Sequence, residues 1–319
     1  MGHSKVAIIG AGSIGTALAY ALLMRASVTE ILLVDISTSI LQGQVLDLED
    51  AALGTNTIVR AGTFNEASQS DVIVITADAP MNPQESELKW TKRNQQLMSS
   101  ILSALLPIQP RAMIVVGSDP VDVLTWQLQE KTGLPRHCVF GVGGNTRSTA
   151  RARAWIAETS GARHREDKAS VYVVGSGQHP VVTWHSAHIN NRSVNTIPEL
   201  ADHRATLERI VNSDRGNEIA RLKGGAWFGQ AAMLSRVVEA CLAKNNDDHH
   251  SPPPVFVLSV YVDSLNACLS MPVYLTNQGA QEHVQLNLSH EEEQALKEAA
   301  IETTRLYETS TIPSTEYQQ

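Results

Sequence analysis

KVAIIGAGSIGTALAYALLMRASVTEILLVDI, residues 5–36, contains a complete structural unit. Val6 to Ile9 is a short apolar run suited to a strand buried on both faces. Gly10, Gly12 and Gly15 follow in G-x-G-x-x-G spacing. An apolar helix comes next, from about Thr16 to Met24, and then a second apolar strand, Ile31–Val34, ending on Asp35. Each glycine has a physical reason. Gly10 permits the tight turn, Gly12 lets a pyrophosphate approach the backbone, and Gly15 lets the helix pack close on the strand. The helix N-terminus offers unpaired N–H groups and partial positive charge to phosphates. Asp35, 20 residues after Gly15, can accept from a ribose 2′-OH and would repel a 2′-phosphate. The pattern therefore predicts a dinucleotide-binding βαβ unit with NAD preferred over NADP.

The rest of the chain is consistent with a globular enzyme-like protein. Its 319 residues allow two domains with a substantial core. With 43% hydrophobic and 18% charged residues, the composition is ordinary for a globular chain. A net charge of −8 and the absence of any Lys/Arg block argue against nucleic acid as a partner. Cys138, Cys241 and Cys268 have no metal-ligand spacing and read as buried free thiols of a reducing compartment. The adjacent His249 and His250 read as solvated loop residues, so no metal is expected. The N-terminus runs almost directly into a strand, without a signal peptide, and no apolar run reaches the ~18 residues of a membrane helix. The expectation is a cytoplasmic protein with no membrane partner.

Further strands are expected at Asp71–Thr76, Ala112–Val116 and Cys138–Gly141, alternating with helices at Thr38–Leu53, Leu88–Leu106 and Val121–Thr132. That alternation predicts a doubly wound parallel α/β sheet of Rossmann type over residues 1–146, with the loops after Ile9, Val34, Thr76 and Val116 sharing one crevice. Residues 147–319 have a different texture and read as an α+β domain. It has a helix at Thr149–Thr159 and a mostly helical stretch from Leu200 to Ala243, broken near Lys223-Gly224-Gly225. Strands are expected at Ser170–Val174, Val255–Tyr261, Met271–Leu275 and His283–Leu286, followed by a last helix opened by Ser289-His290-Glu291-Glu292 and a frayed tail after Ser310.

Beyond the glycine fingerprint, GQVLDLEDA (43–51), VIVITADAP (72–80), ESELKWTKRN (85–94), DPVDVLTW (119–126), STARAR (148–153) and GGAWFGQAAMLSRVVEA (224–240) occur in order. With these pieces the chain resembles the lactate/malate dehydrogenase family along nearly its whole length. The resemblance implies NAD as cofactor, held by Gly10, Gly12, Ser13, Ile14, Gly15, Asp35, Ile36 and Asn94. It also implies a small carboxylate substrate anchored by Arg151 and a homo-oligomer, dimer or tetramer.

The substitutions within these motifs are informative. A mobile-loop arginine polarises the substrate carbonyl in the family; the aligned run here is Gln84-Glu85-Ser86-Glu87. The asparagine of N-P-V-D is Asp119, and the aspartate that orients the family's catalytic histidine is Ser148. The histidine motif G-E-H-G-D reads Gly175-Ser176-Gly177-Gln178-His179-Pro180, so either Gly177 or His179 occupies the histidine position. The loop residue separating lactate-type from malate-type enzymes is Met81, the family's pocket threonine is Ala226, and Asp78 brings a negative charge towards the cofactor phosphates. Hydride transfer to a ketone needs a proton source and a donor for the developing oxyanion, so standard lactate or malate dehydrogenation is not expected. Three readings follow. One is an NAD-dependent oxidoreductase with a rebuilt site, His179 as proton donor, Asp119 as its orienting hydrogen-bond partner and Arg151 as anchor. Another is a dehydrogenase-derived pseudoenzyme that binds or scaffolds. The third is a non-redox enzyme using Asp119 or Glu87 as base.

Overall fold

The computed structural model describes residues 4–82, 84–161, 169–201, 204–212, 215–243 and 252–311. His249, His250 and the tail from 312 lie outside the described residues. The first half runs β1 (Lys5–Ile9), α1 (Ser13–Met24), β2 (Glu30–Val34), α2 (Thr38–Ala52), β3 (Ile58–Ala61), α3 (Phe64–Ala67), β4 (Val72–Ile75), α4 (Glu87–Leu105), β5 (Met113–Val116), α5 (Val121–Lys131) and β6 (Val139–Gly141). The second half begins with α6 (Gly144–Thr159), β7 (Ala169–Ser170), β8 (Val173–Gly175), β9 (Pro180–Val182), β10 (His188–Ile189) and β11 (Arg192–Ser193). It continues with α7 (Pro198–Ala201), α8 (Arg204–Asn212), α9 (Arg215–Lys223), α10 (Trp227–Leu242), β12 (Val255–Val262), β13 (Ala267–Thr276), β14 (Gly279–His283) and α11 (His290–Thr311).

Strands β3-β2-β1-β4-β5-β6 are parallel, the doubly wound order expected from βαβ alternation. Their side chains divide by the period of two. Val6, Ile8, Ile31, Leu33, Val72 and Val74 enter a core with α1 and α10, while Ala7, Ile9, Leu32, Val34, Ile73 and Ile75 enter another with α4. Strands buried on both faces explain why these runs are continuously apolar rather than alternating. The antiparallel strands of the second half do not form a separate large sheet. Strands β12-β13-β8-β9 continue the same one, joined to β6 by a single residue pair, Gly141 with Ser259, while β11-β10-β7 form a small sheet of their own. A third core, around Ile156, Val171, Val173, Trp184 and Leu207, fills the space between α6, α8 and β9.

Several boundaries differ from the sequence reading. Helix α1 begins at Ser13 rather than near Thr16, and α6 at Gly144 rather than Thr149. The α6 extension is anchored by buried Asn145, whose amide donates to the carbonyls of Gly175 (3.2 Å) and Ser176 (3.0 Å). The strand expected at His283–Leu286 lies earlier, at Gly279–His283, because Gly279 (φ 98°) turns the chain back onto β13. The break in the long helical stretch falls at Gly224 (φ 90°), where it was expected. No helix of the described residues is long and apolar enough to cross a membrane.

Candidate active site

The cofactor end is built by the turn after β1. Gly10 adopts φ 108°, and a Cβ there would stand 2.7 Å from the Ala77 nitrogen. A Cβ on Gly15 would overlap the Gly10 carbonyl oxygen, whereas one on Gly12 would meet nothing within 4 Å. Gly10 and Gly15 thus close the turn, and Gly12 leaves an open cradle. Gly12 caps α1 without any side-chain hydrogen bond, which leaves the first-turn N–H groups of Ser13 and Ile14 to face that cradle. Asp35 accepts from the Ala11 N–H (2.7 Å) and the Ser37 N–H (2.8 Å), so its carboxylate is fixed in place with lone pairs to spare for a ribose hydroxyl. Ile36 beside it is 87% exposed, an apolar wall open to solvent. These features fit NAD. Asn94 acts indirectly: it is buried, accepts from Ala79 N–H (2.7 Å) and donates to the carbonyls of Ala79 and Trp90, so it holds the 77–80 loop against α4.

Asp78 is exposed on the loop after β4, near enough to Asp119 for the two carboxyls to interact. Partial loss of water around its carboxyl, reinforced by the negative charge of Asp119, pushes its pKa up to about 6. Asp78→Gly should therefore bind NADH more tightly, by about 1 kcal/mol. Because the protonated acid carries no charge, wild-type NADH affinity should fall as pH rises through about 6, and the variant's affinity should stay flat. A fluorescence titration across this range that shows no difference between the two proteins removes Asp78 from the cofactor's field.

Below the cofactor end lie two adjoining cavities. The first, about 270 Å³, has Glu87, Asp119, Asp122, His179 and Glu302 on its walls. The second, about 640 Å³, has Ser148, Arg151, Arg215, Lys223 and Ala226. Gly144, Arg147 and Gly177 line both. Met81 lines neither, so that position does not shape these cavities. Among the described residues there is no His/Cys/Asp/Glu group that could hold a metal.

Asp119 ends the loop after β5. The residue is exposed, but loss of water around its carboxyl raises its pKa, opposed by the nearby Arg147 charge and by the backbone N–H of Val121 that its carboxylate accepts. Arg147, on α6, donates to Gln230 Oε1, and Gln230 is itself fixed by donating to the Val142 carbonyl at 2.5 Å. Burial lowers the Arg147 pKa and Asp119 raises it again. Arg151, one turn further along the same helix, donates through Nη2 to Ser148 Oγ at 2.7 Å, and its buried Nε–H has no partner among the described residues. Burial, then the charges of Arg147 and Arg215, hold its pKa below the usual arginine value. Asp122 is buried. It accepts from Ser259 Oγ (2.6 Å) and from the Gly177 N–H (3.2 Å), and burial pushes its pKa up to about 7.

The structure does not bring His179 and Arg151 onto one cavity, and among the described residues no hydrogen bond joins His179 to Asp119. The reason lies in the turn that closes the β8–β9 hairpin, where Gly175 (φ 88°) pairs with Pro180. The Gly177 N–H is drawn to Asp122, and the His179 N–H donates to Ser176 Oγ at 3.1 Å. His179 is left exposed on the α11 side, on the same cavity wall as Glu302, a carboxyl held low first by hydrogen bonds from Arg305. Gly177, not His179, lies where the two cavities meet. Ser148, at the position of the family's orienting aspartate, serves Arg151 instead.

Sequence reasoning missed Arg147 and gave Asp122 no role. Arg147 stands immediately before STARAR and Asp122 within DPVD, but only the fold places Arg147 next to Asp119, or Asp122 against the 176–179 turn.

The NAD-binding domain of lactate/malate dehydrogenase matches residues 4–141, and the alpha/beta C-terminal domain of the same enzymes matches residues 148–309. Among curated proteins, the chain is 36% identical over 309 residues to L-lactate dehydrogenase A of Rhizopus oryzae, covering 97% of this chain and 93% of the relative. It is 31% identical over 290 residues to L-lactate dehydrogenase 2 of Lactiplantibacillus plantarum, covering 90% and 92%. A similar solved structure is MGS-M5, a lactate dehydrogenase enzyme from a Medee basin deep-sea metagenome library. It has a TM-score of 0.87 and 23% identity, with 98% and 100% of the two chains covered. Malate dehydrogenase from Salinibacter ruber superposes with a TM-score of 0.81 at 24% identity, covering 96% and 97%. The two structures support the fold.

Proposed function

Since the chain belongs to the lactate/malate dehydrogenase family and carries its NAD-binding domain, we propose that it is an NAD(H)-dependent oxidoreductase of a small 2-oxo or 2-hydroxy acid with a rebuilt acid–base centre. The observation that carries this reading is Arg147, which lines both cavities and feels Asp119 on one side and Arg151 on the other. Bound NADH supplies the hydride. Arg151 takes the substrate carboxylate, with its unpartnered Nε–H and its guanidinium fork suited to a bidentate grip. Arg147 supplies the cation for the carbonyl oxygen that Glu87 cannot. Asp119, its pKa raised by desolvation, in its acid form donates its proton to that oxygen and, as a carboxylate, takes it back in the oxidative direction. A neutral carboxylic acid can fill both the hydrogen-bonding role of the family's asparagine and the proton-donor role of its histidine. His179 is then a wall residue of the first cavity.

Titration with NADH, followed by a panel of 2-oxo acids monitored by NADH absorbance, tests the reading. Turnover of at least one of them is expected. NADH binding with no turnover across the panel would overturn it in favour of a cofactor-binding pseudoenzyme, the reading favoured by the separation of His179 from Arg151. Self-association belongs to the same proposal. Ile40 and Leu46 on α2 and Leu53 at its end are exposed apolar side chains on one element, an outward surface that a second copy would cover. Light scattering should give a dimer or tetramer, and a monomer mass at micromolar concentration would refute this.

A further inference from the structure

We propose that the second cavity binds an extended polyanionic acid whose distal anionic group, carboxylate or phosphate, lies against Arg215 of α9 while its proximal carboxylate sits on Arg151. This inference rests on the Arg151 anchor of the function proposed above and adds the ligand's charge and reach.

The lining of the cavity is strongly one-sided. Arg147, Arg151, Arg215 and Lys223 all face it, and among the described residues no Asp or Glu does. None of the four makes a salt bridge within the described structure. Asp119 answers Arg147 from the neighbouring cavity. Lys223 lies over the rings of Trp227 (4.1 Å) and Phe228 (3.9 Å), which position its ammonium without neutralising it. Arg151 and Arg215 share the cavity wall, where the Arg215 charge disfavours that of Arg151, and among the described residues the buried Arg151 Nε–H has no acceptor. A buried donor without a partner and uncompensated like charges are both unfavourable in the empty cavity. A single carboxylate on Arg151 relieves the first and only part of the second. A ligand with a second anionic group relieves both.

Size points the same way. About 640 Å³ is more than a three- or four-carbon acid fills. The cationic wall is also on a different element from the loop that carries Met81, so a second anionic group would be recognised from the helical side. Carboxylate and phosphate both suit a guanidinium fork, and the measurement separates them.

Calorimetric titration of the whole protein with acetate, citrate and 3-phosphoglycerate tests the inference. Citrate or 3-phosphoglycerate should bind at least about tenfold more tightly than acetate, with an affinity that weakens as salt is added. The tighter of the two identifies the distal group. Arg215 is on the surface, so Arg215→Gln should fold normally, lose that tenfold advantage, weaken acetate far less than the polyanion, and leave NADH affinity unchanged. Arg215→Lys should retain part of the advantage. Equal affinities for all three anions, or an unchanged polyanion affinity in Arg215→Gln, would overturn the proposal. Polyanion binding that depends on Arg215, found together with no turnover of any 2-oxo acid, would uphold this site and reject the oxidoreductase reading.

Discussion

Gly15→Ala should destabilise the protein by about 3 kcal/mol or more, while Gly12→Ala, three residues away, should fold as the wild type does and lose NADH. At Gly15 the added methyl overlaps the Gly10 carbonyl oxygen and also comes within 2.9 Å of Thr76 Oγ1. The first obstacle is backbone. Gly10 is held by its N–H bond to the Val34 carbonyl at 2.8 Å, and the Thr76 hydroxyl already donates to the Gly10 carbonyl at 3.0 Å. Neither obstacle can rotate away as the end of a long side chain could, so α1 must lift from the sheet and open its packed face, at the upper end of overpacking costs or beyond. The Gly12 methyl meets nothing within 4 Å, and its backbone (φ −76°) is open to any residue. Its effect falls on the pyrophosphate, which must come within contact distance of that backbone. A tenfold or greater loss of NADH affinity, about 1.4 kcal/mol or more, is expected without a change in the unfolding midpoint. Denaturant melts and NADH titration of the two variants separate the closing glycine from the cradle glycine. Unimpaired NADH binding by Gly12→Ala would mean that the cofactor does not use this turn.

Asp119→Asn should cost 10²- to 10⁴-fold in the rate of 2-oxo acid reduction, the usual range for removing a general acid, with NADH affinity little changed. The substitution restores the residue found in the family, which would ordinarily be expected to help. It is harmful here because no histidine stands at the cavity junction to donate instead. The pH dependence follows from the same assignment. With its pKa raised by desolvation, Asp119 is protonated and competent below that pKa, so reduction should slow as pH rises through it, and oxidation of the 2-hydroxy acid should show the opposite slope. The variant should lose both slopes along with the rate. If Asp119→Asn keeps wild-type reduction and His179→Asn abolishes it, the donor is His179, and the 176–179 turn must rearrange when substrate binds.

Stability has its own pH dependence, through Asp122. Its folded pKa, near 7, lies above the ordinary carboxylate value. The folded state therefore holds a proton that the unfolded chain has already lost between roughly pH 4 and 7. This contribution is fully present at acid pH and disappears as pH rises through about 7.

The parallel half of the fold was legible because each strand is buried on both faces, so Val6–Ile9, Ile31–Val34 and Val72–Ile75 stand out as apolar runs against polar connections. β3 was not legible. It is an edge strand in which only Val59 of four residues is buried, and such a strand has no periodicity to read. The first turns of α1 and α6 were also hidden, since Gly12 and Gly143 cap them without the Ser, Thr, Asp or Asn that marks a helix start. In the site, the cofactor turn was readable because its parts are contiguous in sequence. The centre below it depends on a residue of α6 meeting one of the β5 loop, and on which way a four-residue hairpin turn faces. Neither is a property of local sequence. Asn94 shows a related limit: it has a part in the cofactor end, but only through the backbone of Ala79.

Asp122 also determines which parts of the molecule are free to move. Its two hydrogen bonds reach Ser259, the residue that pairs with Gly141 where the two halves of the sheet meet, and Gly177, at the tip of the β8–β9 turn. One buried carboxyl thereby fastens the seam of the sheet and the floor of the crevice to the start of α5. A crevice with a bolted floor works like a jaw with one moving side. Any closure over a ligand must come from the opposite rim, residues 77–82 and 84–86, where exposed Asp78 and Met81 lie on stretches without regular secondary structure. Hydrogen exchange should show this asymmetry, with the Gly177 amide as slow as those of β12 and the amides of the rim fast until a ligand is added. A Gly177 amide that exchanges as quickly as the rim would mean that the floor moves too.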